Sequence, residues 1–111
     1  MNNEMLEIEV GEKTYKLGFP RRTDVKTAEN KGLRLMQIEN KPIEVTDKLF
    51  YTALLAKQPS ITESEAENLL NQYVEEGGEI GEINEFLIKQ YTAFQKSPNG
   101  KKKKKAKIIR I

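Results

Sequence analysis

At 111 residues the chain is long enough for one small domain and too short for two, and its 37% hydrophobic content supports one modest core. The absence of cysteine and histidine excludes a disulfide framework and the usual zinc site, and it removes the commonest general base. With 32% charged residues and a mean hydropathy of −0.68 the chain reads as heavily solvated, and no apolar run approaches the roughly 20 residues that span a bilayer. Met1 to Glu12 alternates apolar and acidic residues where a signal peptide needs an apolar block, so a cytoplasmic location is expected. The net charge of +2 conceals a split. Lys101 to Lys105, Lys107 and Arg110 supply seven positive charges, and residues 1–100 carry 12 basic against 17 acidic residues, a balance of −5.

Leu6, Ile8 and Val10 alternate with Glu7 and Glu9, the period of a half-buried strand. After Gly11-Glu12 the alternation resumes with Tyr15, Leu17 and Phe19 on one side, so the two runs predict a β-hairpin. A lone hairpin is marginal in water and must lie against helices or gain a third strand. Pro20 ends the second strand. Thr23 to Lys31 reads as a short polar helix, with Thr23 as N-cap, Val25 and Ala28 as its apolar contacts and Gly32 as a left-handed C-cap. Leu33 to Ile38 is ambiguous. Alternation favours an irregular stretch or short strand, while Leu35, Met36 and Ile38 also fit one helical turn. Asn40-Lys41-Pro42 reads as a turn.

The densest apolar stretch runs from Thr46 to Pro59 and predicts the central helix. Leu49, Phe50, Ala53 and Leu54 share one face, Tyr51 and Leu55 widen it, Thr46 suits the N-cap and Pro59 bars continuation. Thr62 and Glu65 have capping-box spacing, followed by an apolar face of Ala66, Leu69, Leu70, Tyr73 and Val74 and a stop at Gly77-Gly78. The last helix runs from about Ile80 to Gln95, with Ile80, Ile83, Leu87, Tyr91 and Phe94 in one stripe and Phe86 and Ile88 beside it. Ser97-Pro98-Asn99-Gly100 breaks it, and like-charge repulsion predicts a mobile basic tail over 98–111. The fold class expected is α+β and mainly α: over residues 1–97, an N-terminal β-hairpin followed by a small cluster of about four helices.

No catalytic constellation is visible, and no cofactor or metal site is expected. The block Glu63, Glu65, Glu67, Glu75, Glu76, Glu79, Glu82 and Glu85 reads as a solvated face rather than paired catalytic carboxylates. No Lys or Arg lies between Gln58 and Ile88, whereas Lys13, Lys16, Arg21, Arg22, Lys26 and Lys31 cluster earlier. Such regions can pair within one molecule or between copies, against the plainer reading of ordinary surface charge. The lysine tail offers phosphate binding through counterion release, or a solubilising end. It holds no aromatic to stack on bases, and Ile108, Ile109 and Ile111 are too few to anchor it in a membrane. Five successive lysines also imply an adenine-rich message, on which ribosomes slip. Phe50, Tyr51, Tyr73, Phe86, Tyr91 and Phe94 exceed what so small a domain is expected to bury, so part of them should form an exposed binding patch.

The order EIEVGEKTYKLGF, Arg22-Thr23-Asp24-Val25, Ala28-Glu29-Asn30-Lys31-Gly32, Pro42 before Leu49-Phe50-Tyr51, Gln58-Pro59-Ser60-Ile61-Thr62, Leu69-Leu70 and Phe86-Leu87 to Tyr91 resembles the tail assembly chaperones of long-tailed phages and prophages of Gram-positive bacteria. The resemblance covers about residues 5–95. It implies a mainly helical, non-enzymatic protein that binds the tape measure protein and keeps it soluble during tail assembly. It also implies a programmed frameshift that appends a domain recruiting tail tube protein, and Lys101 to Lys105 lies where that slip is expected. Leu87, Tyr91 and Phe94, then Phe50 and Tyr51, are the expected client-binding residues, with a place in the core as the alternative for each. Self-association suits a long client. The rival reading is a small nucleic-acid-binding or regulatory protein acting through the basic tail.

Overall fold

The computed structural model describes residues 4–96, so the basic tail and its expected mobility lie outside the described residues. Strands β1 (Leu6–Val10) and β2 (Lys13–Leu17) pair antiparallel, with Leu6 opposite Leu17, Ile8 opposite Tyr15 and Val10 opposite Lys13. Gly11 takes φ 65° at the first turn position while Glu12 keeps a negative φ, the type II′ geometry that matches the twist of a tight hairpin. The expected alternation holds. Leu6, Ile8, Val10, Tyr15 and Leu17 turn towards the helices, and Glu7, Glu9, Thr14 and Lys16 are exposed. The hairpin gains no third strand among the described residues and instead lies against helices.

Helix α1 (Arg22–Asn30) starts one residue earlier than Thr23. The Asp24 carboxylate accepts the Arg21 backbone N–H and grips the Arg21 guanidinium at 2.9–3.0 Å, so the first turn closes without a Thr23 cap. Its end is as expected: Gly32 (φ 100°) donates to Glu29 O and Leu33 donates to Ala28 O, a Schellman closure with Leu33 and Ala28 both buried. Leu33–Ile38 forms no strand. Leu33 turns into the core, and Leu35–Gln37 makes a 3-10 turn.

Helix α2 (Pro42–Leu54) begins four residues before Thr46, because Pro42 sits at its first position. There the missing N–H costs nothing and the fixed φ favours the helix. Thr46 is therefore not a cap, and its hydroxyl accepts from Asn84 Nδ2 at 3.2 Å. The helix ends well before Pro59, where Leu54 O takes the N–H groups of Lys57 and Gln58. Every residue from Leu49 to Leu54 is buried, and α2 touches α1, β2 and both later helices. It is the central helix that its apolar arc implies.

Helix α3 (Glu63–Glu75) opens on the expected capping box, with Glu65 N–H donating to Thr62 Oγ1 at 3.1 Å and Thr62 N–H to Glu65 Oε1 at 3.0 Å. It closes through Gly77 (φ 95°) and Gly78, whose N–H groups reach Val74 O and Tyr73 O. A Cβ on Gly78 would lie 2.3 Å from the Tyr73 ring, so the ring needs a bare backbone there. Helix α4 (Ile80–Lys96) packs against α1 and α2. Its buried Gln90 is the polar joint of the fold. The side-chain oxygen accepts the Phe19 N–H, and Nε2 donates to Glu4 O at 2.8 Å, tying both ends of the hairpin to the last helix. Phe19 meets Tyr91 edge to face at 5.2 Å.

Candidate functional site

The five residues expected to form the binding surface are all core. Phe50, Tyr51, Leu87, Tyr91 and Phe94 are at most 7% exposed. The reason lies in what covers them. Helix α4 meets α1 and α2, and the hairpin base adds Phe19, which closes on Tyr91. Counting helix faces alone understates the cover available, because the hairpin and the Leu33 stretch contribute apolar groups of their own. Of the other two rings in the expected surplus, Tyr73 and Phe86 are half-buried.

The exposed apolar groups lie elsewhere. Met36 is 87% exposed and Ile43 77%, on the connection from α1 into the first turn of α2, and Leu35 and Ile38 beside them are half-buried. Val74, on the far part of α3, is exposed to a lesser degree. A cleft of about 510 Å³ opens between the end of α1 and the 3-10 turn. Leu33, Leu35, Met36 and Tyr91 line it, with Glu29 and Arg34 at its margin. The Arg34 guanidinium is held there by donating to the carbonyls of Glu29 at 3.1 Å and Leu33 at 2.9 Å. Burial, and then the Glu29 charge, raise the Tyr91 phenol above its ordinary value, with Arg34 pulling the other way, so the ring is a neutral apolar wall. The sequence did carry a signal for this site: the apolar residues of Leu33–Ile38 fit neither a clean strand period nor a clean helix period.

The acidic block is exposed and largely committed to structure or solvent. Glu63 pairs with Lys48 at 2.9 Å, and Glu65 caps α3. Glu76 accepts the Gly11 N–H at 2.9 Å and an amide hydrogen from Gln72, bonds that hold its carboxyl below the ordinary value. Asp47 is raised, first by burial and then by the Glu67 charge. Among the described residues no group of three acidic, histidine or cysteine side chains is placed to hold a metal. Nor do the ion pairs found there, Arg21–Asp24, Lys41–Glu44 and Lys48–Glu63, join the basic stretch of Lys13 to Lys31 to the acidic block. The expected tail residues Lys101, Lys102, Lys103, Lys104, Lys105, Lys107 and Arg110 lie outside the described residues. No described helix is long and apolar enough to cross a membrane.

A family described as Domain of unknown function (DUF5055) matches residues 1–109, and the chain belongs to it. No curated protein and no solved structure matches the chain significantly.

Proposed function

We propose that this protein is a non-enzymatic tail assembly chaperone, which binds the tape measure protein of a phage or prophage in the bacterial cytoplasm and keeps it soluble. The observation that carries the reading is the exposure of Met36 and Ile43, large apolar side chains left in solvent beside half-buried Leu35 and Ile38. An amphipathic client helix can lay its apolar stripe on such a surface. Methionine suits it, because an unbranched and polarisable side chain repacks against varied partners. The mainly helical content of the chain also accords with the resemblance. Burying each of these side chains is worth about 1.5–3 kcal/mol, so one copy binds weakly and a long client engages many copies at once. The lysine run serves the message as a frameshift site, and the extended product recruits tail tube protein.

Co-expression with a long helical tape measure segment tests the reading. The wild-type chain keeps the segment in the supernatant, as does a chain lacking residues 98–111. Met36→Asp combined with Ile43→Asp sends the segment to the pellet while the variant itself stays folded. Loss of salt-sensitive DNA or RNA binding on deleting 98–111, with no effect on the segment in any variant, supports the nucleic-acid reading instead.

A further inference from the structure

The two-stranded sheet has an unpartnered edge above a second cleft. Among the described residues no hydrogen bond outside the β1–β2 ladder reaches Lys13 to Leu17, so the outward-facing N–H and C=O groups of Thr14 and Lys16 are free, up to Gly18, whose N–H donates to Ala53 O of α2. Beside it lies a cleft of about 570 Å³ whose walls include Tyr15, Pro59, Ile61 and Leu69. Tyr15 is its single contribution from the sheet, which places the cleft on the β2 side and not beneath β1. Its one charged wall residue, Glu65, is engaged with Thr62 at the start of α3.

We infer that this edge and cleft accept an extended segment of a partner protein in which apolar and acidic residues alternate. Main-chain bonds to the free edge of β2 supply the attachment, and every second side chain of the incoming strand falls on the helix side of the sheet, into the cleft. The remaining side chains fall on the outer face, where β2 presents Lys16 and Thr14. Charge complementarity to Lys16 selects acidic residues there, and β1 on the other side of β2 is a strand of that pattern, Leu-Glu-Ile-Glu-Val, with Glu7 in register with Lys16. Lysines on an open edge also discourage pairing with unselected strands. A second copy is not the occupant, because its own β1 has Ile8 and Val10 buried in its core and cannot turn them into a neighbour's cleft. This inference stands apart from the chaperone reading, which rests on Met36 and Ile43, residues that do not line this cleft.

The test is titration of the full chain with a blocked peptide of alternating valine and glutamate, followed by amide hydrogen exchange. The expected result is saturable binding with new protection in Lys13–Leu17. N-methylation along one edge of the peptide should weaken binding at least tenfold, and Lys16→Gln, an exposed change that sets no like charge opposite Glu7, should weaken it about threefold. Absence of binding, equal binding by the N-methylated peptide, equal binding by a peptide with its valines and glutamates in separate blocks, or protection away from β2 overturns the proposal. So does a self-association, seen by sedimentation, that the peptide dissolves, because the edge would then belong to a second copy.

Discussion

Helix α4 and the connection between α1 and α2 both carry large apolar side chains, and the two meet opposite fates. Ile83, Leu87, Tyr91 and Phe94 repeat at helical spacing and are buried, while Met36 in the 3-10 turn and Ile43 in the first turn of α2 are exposed. Periodicity records the presence of a partner surface: a stripe on one face evolves against something that covers it. Met36 and Ile43 have no such partner within the fold, although Leu33 in the same connection is buried. The dense aromatic helices hold the domain together, and the exposed apolar side chains sit on the connection from α1 into the first turn of α2.

The contrast can be broken most easily at Leu87. Leu87→Ala empties a fully buried site and should cost about 2–5 kcal/mol, read as a lower midpoint in urea, whereas Met36→Ala should stay within about 0.5 kcal/mol of wild type. Comparable losses in the two variants would erase the distinction. A smaller effect is expected at the joint between them. Gln90→Ala strands the buried Phe19 N–H and should cost about 1–3 kcal/mol, with faster hydrogen exchange at the hairpin base than in α3. Thr62→Ala removes the acceptor for the Glu65 N–H and should cost about 1 kcal/mol.

The smallest effect is a pH response at the hairpin tip. Hydrogen bonds from Gly11 and Gln72 favour the charged form of Glu76, so its folded pKa lies below its unfolded one. Its contribution is present above the unfolded value and is lost as pH falls through the folded one. The Gly11 amide proton shift should titrate with a midpoint below the ordinary glutamate range, and Glu76→Gln should abolish that titration. Asp47 acts in the opposite sense. Burial raises its folded pKa, so its ionisation removes stability as pH rises through the unfolded value towards the folded one.

The elements with strong local chemistry were legible. The hairpin announced itself by alternation around Gly11, α3 by Thr62 and Glu65, and two helix ends by Gly32 and Gly77. The start of α2 was misplaced because Pro42 breaks a helix interior yet suits a first turn, and only the backbone before it decides which role applies. The expected surface failed for a deeper reason. Whether Tyr91 is covered depends on Phe19, which lies 5.2 Å away in space and far away in the chain, and no local pattern encodes that meeting.

Hydrogen exchange on the complex with a tape measure segment tests the central claim most directly. New protection is expected over residues 33–45, with α4 exchanging as slowly as in the free protein. Faster exchange in α4 on binding, with no change over residues 33–45, would mean that the client takes the core stripe by opening the fold, and would contradict it.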